Sequence, residues 1–350
     1  MSRLERQYRI CLRLLPGWYR GRWEADMVDA FLTSMQTGDA ERDEDIADYG
    51  RPSVAEIWSV FTLAVRLRLG GVGAPARSFA WGQAIRFAVL MGLLVQATTG
   101  CIGVANAAWL TGRLSWLPAP PDELPPFAVT GWNLVTFLAA ALWLPAFLTL
   151  VFGHRRLAQG FALVALAVEV ATTSWLSAGT PMLPNPYPLF TIALVIGLLT
   201  AFRADTAQPA RTGWLVALPV ALVIAAAPML LPLVNGDAVL SGLDELMCVS
   251  LTAVMIVTVV RLRFGKAFQS PAWPMALAII TVPVIAIRLV TLAEYGSLGN
   301  LSYYGSKIPF WITAGFVEIA VLLAFGLGLA IYARTQLAEL SYEPVKVPIS

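Results

Sequence analysis

The sequence predicts an all-α protein, an eight-helix polytopic transmembrane bundle with a small helical amino-terminal cytoplasmic region. Three observations predict it. Of 350 residues, 58% are hydrophobic and 13% are charged, too little polar surface to clothe a single water-facing core. The charge is uneven, since residues 1–80 hold eleven of the 22 acidic and eleven of the 24 basic residues and leave long, nearly uncharged tracts behind them. The remaining basic residues gather in alternate connections between those tracts. The expected organisation is a helical prefix over 1–78, an eight-span domain over 79–334 and a cytoplasmic tail over 335–350.

In the prefix, Leu4, Tyr8, Cys11, Leu12 and Leu15 recur at helical spacing, with Arg3, Arg6, Arg9 and Arg13 mainly on the other side, until Pro16 and Gly17 end the run. A second amphipathic helix places Trp23, Met27, Ala30, Phe31 and Met35 against Glu24, Asp26 and Asp29. Residues 37–51, acid-rich and bounded by glycines, read as a solvent-facing connection. Ser53 and Glu56 have the spacing of a capping box for a third helix, whose apolar stripe is Val54, Ile57, Val60, Phe61 and Ala64. Charges interrupt residues 1–30, so the first spanning segment is expected to initiate insertion.

The spans are expected near Ala84–Ala108, Phe127–Phe152, Leu157–Ala178, Tyr187–Phe202, Trp214–Val234, Leu243–Val260, Ala272–Ala293 and Ile308–Ala333. All but the fourth reach the length that about 30 Å of hydrocarbon requires. Arg155 and Arg156, Arg203 and Arg211, then Arg261, Arg263 and Lys266 mark one side, together with Arg66, Arg68, Arg77 and Arg334. The other side carries chiefly Arg113 and Lys307 beside Asp122, Glu123, Asp237, Asp244, Glu245 and Glu294. The basic side is therefore expected to be cytoplasmic, with both termini on it. Deleting the short fourth span would put Arg261–Lys266 outside and the acidic stretch 237–245 inside. Outer connections at 117–126, 179–188 and 294–307 are rich in proline or glycine and suit hairpin closure or a rigid cap.

A charge facing lipid is costly, so Glu169, Arg288 and Glu318, which fall within spans, should face the bundle, a wet cavity or one another. Arg288 is expected to pair with Glu169 or Glu318, either as a structural ion pair or around a polar passage. Secondary polar candidates are Gln96, Asn133, Thr172 and Thr173, with Asp244 and Glu245 at a helix start, where capping and dipole stabilisation compete with cation attraction. Arg155, Arg156, Arg261, Arg263 and Lys266 serve as cytoplasmic charge anchors toward membrane lipids.

Catalytic signatures are missing from the sequence. His154 is the single histidine and sits in a basic turn, and there is no nucleophile elbow or phosphate loop. Cys11, Cys101 and Cys248 have neither zinc-site nor redox-pair spacing, so no cofactor or metal is expected and each reads as a small buried hydrophobe. Acidic residues 39–48 oppose specific nucleic-acid binding.

The stretches Leu4-Glu5-Arg6-Gln7-Tyr8-Arg9, Leu14-Leu15-Pro16-Gly17-Trp18-Tyr19-Arg20, Glu24-Ala25-Asp26-Met27 and Gly50-Arg51-Pro52-Ser53-Val54-Ala55-Glu56 lie within a match of about seventy residues. They resemble the cytoplasmic prefix of actinobacterial multi-pass membrane proteins often considered with PadR-type transcriptional regulators or permease-like prefixes. That resemblance implies a regulatory or accessory membrane protein coupling membrane or envelope state to a cytoplasmic partner, either a regulator or an ABC ATPase. A small-molecule transporter or permease-like component is the alternative. No catalytic residue transfers with it.

Site-specific cysteine labelling checks the topology. Positions 118–126, 180–187, 235–242 and 295–306 should react with an impermeant reagent from outside, and 154–156, 204–212 and 263–270 should not. Outside labelling at 204–212 would remove the fourth crossing.

Overall fold

The computed structural model describes residues 2–36, 38–71, 74–116, 131–176, 187–203, 210–230, 243–264, 270–297 and 308–340. These form an all-α architecture that divides into two compact units, Met1–Gln83 with Gln336–Ser350, and Ala84–Thr335. Of the outer connections, 117–126, 179–186 and 298–307 lie outside the described residues, as do Lys266 and the end of the tail, while Tyr187 already opens a helix and Ser297 closes one.

In the first unit, α1 (Arg3–Leu12) begins at Ser2, whose hydroxyl accepts the Glu5 N–H at 3.1 Å. Its apolar stripe is buried as the spacing requires, through Leu4, Tyr8 and Leu12, with Leu15 following. The core closes around them with Val28 and Phe31 of α2 (Gly17–Met35) and Val60, Ala64 and Leu67 of α4 (Val54–Arg68). Tyr8 stacks on Phe31 with ring centroids 4.0 Å apart, a contact worth about 1 kcal/mol beyond the area it buries.

Two expectations are corrected here. The stretch 37–51 is not a plain connection: it contains α3 (Ala40–Tyr49), and the Asp39 side chain caps it by accepting the Glu41 N–H at 3.3 Å. Acidic residues that signal solvent also suit the positive end of a helix, and Ile46 gives this helix an anchor on the core. The stripe of α2 is also rotated from the one expected. Trp23 and Ala30 are exposed, and Trp23 lies beneath the Arg22 guanidinium carbon at 5.3 Å.

The capping box forms as read. Ser53 Oγ accepts the Glu56 N–H at 3.2 Å, and the Glu56 carboxylate accepts the Ser53 N–H at 2.8 Å. The five-residue stripe of α4, however, splits between two faces. Val60 and Ala64, joined by Leu67, enter the core, whereas Val54, Ile57 and Phe61 are exposed alongside Trp58, with Trp58 stacked on Phe61.

The second unit inverts the usual distribution of size. Many of its buried positions are alanines, while Leu157, Val164, Val223, Val282 and Leu327 are exposed. That pattern suits lipid, where large apolar groups need no cover and small ones let helix backbones approach. Four helices are long and apolar enough to cross a membrane, at Ala76–Leu110, Glu245–Arg263, Ala272–Ala293 and Pro309–Glu339. They lie in α5 (Ala76–Leu110), α11 (Leu243–Arg263), α12 (Ala272–Ser297) and α13 (Ile308–Glu339). Shorter apolar stretches occupy Val135–Val151, Tyr187–Ala201 and Arg211–Ala227.

The expected second span, 127–152, is two helices where it is described: α6 (Gly131–Ala141) and α7 (Trp143–Val151). Pro145 cannot donate to the Ala141 carbonyl, and its ring crowds that position, which accounts for the break at Leu142. The chain then turns sharply after α7. Gly153 has φ +91°, its N–H donates to the Leu150 carbonyl at 3.0 Å, and the His154 N–H donates to the Thr149 carbonyl at 2.7 Å. This paired closure is a Schellman motif, and Arg155 opens α8 (Arg155–Leu176) directly afterwards. Helix α8 packs against α6, α7 and α9 (Tyr187–Ala201), and α10 (Arg211–Leu230) packs against α7 and α11.

Burial raises the Tyr8 phenol above its ordinary value of 10.0, with the Glu56 charge and the Cys11 thiol adding to the shift. Tyr8 therefore contributes stability that is complete below pH 10 and lost as pH climbs through the raised value. The difference in phenolate absorbance between the wild type and Tyr8→Phe should show a midpoint above 10; a midpoint at or below it would contradict this packing.

Candidate functional site

The strongest polar candidates lie in the second unit, and the structure resolves their neighbours. On α8 the residues Ala158, Ala162, Ala165 and Thr172 are buried at spacings of four, three and seven. Glu169 falls on the same stripe, so its carboxyl faces neighbouring helices, while Leu163, Val164 and Val170 point outward. The hydroxyl of fully buried Thr191 on α9 lies 3.1 Å from Glu169 Oε1 and 2.9 Å from the Pro188 carbonyl. One hydroxyl proton serves one of these acceptors at a time. Thr172 donates to the Glu169 backbone carbonyl at 2.9 Å.

One turn before Thr191, the Tyr187 hydroxyl donates to Gln96 Oε1 on α5. Gln96 is 1% exposed, and its amide nitrogen has no hydrogen-bond partner among the described residues. Glu169, Thr191, Tyr187 and Gln96 thus form a polar line across α8, α9 and α5. Helices α5 and α9 also meet where Gly92 faces Leu194 and Gly197 faces Val89. Gln96 and Glu169 were legible as candidates; Thr191 and Tyr187 were not. Their signal is a pair of hydroxyl donors four residues apart on a strongly apolar helix, which gains meaning only once an intramembrane acceptor is beside it.

Arg288 and Glu318 form a second polar centre. Arg288 Nη2 lies 2.9 Å from Glu318 Oε2, and the Arg288 side chain is 1% exposed. Leu292 meets Gly315 on one side of the pair, and Thr281 meets Gly326 on the other. Contacts that descend α12 as they climb α13 define an antiparallel helix pair, with the ion pair set between two close approaches. Beneath it, Cys248 and Met255 of α11, Leu277 and Val284 of α12 and Leu322 and Leu329 of α13 share one apolar cluster. The α11–α12 contact carries a further hydrogen bond, from Trp273 Nε1 to Thr258 Oγ1 at 3.2 Å.

Other candidates are more peripheral. Arg155 is half-buried, while Arg156, Arg261 and Arg263 are exposed, the last two in the final turn of α11 where they favour the negative helix end. Glu245 lies near the start of α11. The side chains of Asn133, Thr173 and Asp244 lie outside the described residues, as does Lys266. Gln159, not singled out from the sequence, donates to the Leu198 and Phe202 carbonyls at 3.3 and 3.4 Å and so closes the end of α9. Among the described residues there is no group of three or more His, Cys, Asp or Glu side chains placed to hold a metal.

These features define the class: an all-α, multi-span membrane protein with a helical amino-terminal region. No protein-family model, curated protein or solved structure matches the chain.

Removing one member of a buried ion pair strands the other. Arg288→Met and Glu318→Leu should each destabilise the detergent-solubilised chain by about 3–5 kcal/mol, and the double variant should recover most of that loss. Additive losses in thermal unfolding would show that the two charges act separately.

Proposed function

We propose that this chain is a regulatory or accessory membrane protein of the bacterial cytoplasmic membrane, coupling membrane or envelope state to a cytoplasmic partner. The observation that carries this reading is the amino-terminal unit, a helical assembly with its own apolar core and an exposed apolar stripe on α4. Trp58 is 67% exposed and Val54 83%, whereas Val60 and Ala64 are buried. Large apolar groups gathered on one helix face are costly to leave in water and favour a partner. The prefix resemblance points to a transcriptional regulator as that partner.

The reading includes eight crossings with both termini cytoplasmic. It is supported by the long and short apolar helices, by the basic turn at 154–156 and by Arg261 and Arg263 at the end of α11. Helix α8 is the third crossing in this scheme, its Glu169 tolerated because it faces other helices. A permease-like component served by an ABC ATPase on another chain is the second reading, favoured by the polar line from Gln96 to Glu169.

Intact tagged protein carrying a photo-reactive phenylalanine analogue at position 58 should crosslink in cells to a transcriptional regulator. Capture of an ABC ATPase would support the permease reading instead. Recovery of neither, with expression and membrane insertion intact, would overturn both.

A further inference from the structure

The amino-terminal unit holds a second feature, independent of the α4 stripe. Arg6, Arg9, Ile10 and Arg13 lie on the face of α1 opposite its buried stripe, at spacings of three, one and three. With Arg20 and Glu24 from α2 they line a cleft of about 380 Å³, within the range of small-molecule sites. Four guanidiniums and one carboxylate therefore share one opening.

The described carboxylates do not neutralise it. Arg9 takes both nearby carboxylates, with Nε 3.0 Å from Glu5 Oε1 and Nη1 3.3 Å from Glu24 Oε1. Arg6, Arg13 and Arg20 have no carboxylate partner among the described residues. Arg20 Nε is buried without a hydrogen-bond acceptor among those residues, so a donor has been taken from water and left unanswered. A buried donor without an acceptor is destabilising, more so on a charged group, and three further like charges around it add repulsion. Arg6 and Arg13 stay exposed at the mouth of the cleft, and it is the enclosed Arg20 Nε that sets the cleft apart from a solvated basic face.

We propose that this cleft binds an anionic phosphate group, with Arg6, Arg13 and Arg20 as its ligands. Guanidinium forks match phosphate oxygens in geometry and charge. Arg9, held by Glu5 and Glu24, is a positioning residue that fixes α1 against α2 and keeps Glu24 from repelling the anion. The shared chemistry fits either a free phosphate compound or the headgroup of an anionic lipid. The proposal stands whether or not a protein docks on α4.

The test uses the full chain in two settings. In detergent, calorimetric titration with inorganic pyrophosphate should be saturable. Binding should weaken at least about tenfold in Arg6→Gln/Arg13→Gln, and the control Arg51→Gln, an exposed site outside the cleft, should leave it unchanged. In nanodiscs, hydrogen exchange across residues 3–24 should be compared between phosphatidylcholine alone and phosphatidylcholine with phosphatidylglycerol. Pyrophosphate binding that depends on the arginines assigns a free phosphate. Phosphatidylglycerol-dependent protection that replacing the arginines abolishes, without pyrophosphate binding, assigns a headgroup. Arg6 and Arg13 are exposed, so their replacement spares the core; Arg20→Lys keeps the charge but removes the buried fork, and should weaken whichever interaction is found. Indifference of both settings to all these substitutions, with helical content retained, would overturn the proposal.

Discussion

Between transmembrane helices lipid removes the ordinary hydrophobic drive, because a tail is as apolar as leucine. Helices must be held by close approach and by the polar bonds that closeness permits. The second unit is organised by that constraint. Ala140 brings its carbonyl so near Gly100 that any side chain there would collide with it, which locks α6 to α5. Gly92 and Gly197 let α5 meet α9, and the polar line from Gln96 to Glu169 runs through the same group of helices. Gly315 and Gly326 do the same for α12 and α13 around Arg288 and Glu318. Close packing and polar pairing are two parts of one solution here.

The amino-terminal unit follows water's rules instead. Its core is made of large side chains, its helix starts are capped by Ser2, Asp39 and Ser53, and most of its described charged residues are exposed. A core this small gains little from area alone. The caps, each worth about 1 kcal/mol, and the Tyr8–Phe31 stack therefore weigh more than they would in a larger domain.

What was legible in the sequence tracks how local the determining physics is. The stripe of α1 and the box at Ser53 and Glu56 depend on residues within a few turns, and both appear as read. The rotation of α2 depends on which neighbour claims its face, so periodicity alone could not choose Val28 over Trp23. Helix α3 was hidden because acidic residues serve a loop and a helix start equally well; Ile46 decided between them only once a core existed to receive it. In the membrane unit, the cost of buried charge picked out Arg288, Glu318 and Glu169. The partners of Glu169 are set by which helices touch, and that information is distributed over alanines and glycines too common to read singly.

The antiparallel seam between α12 and α13 also bears on the order of assembly. Arg288 is synthesised before Glu318, and an arginine within a lone apolar helix resists entry into lipid, by about 2.5–3.5 kcal/mol at the helix centre and less toward its ends, where Arg288 lies. Until its counter-charge emerges, α12 is poorly suited to leave the insertion machinery alone. The two helices are better released together, as a hairpin whose alignment is already chosen: sliding one past the other by a single turn would part the charges and move Leu292 off Gly315. The ion pair and the close contact at Gly315 thus select the same alignment of the two helices.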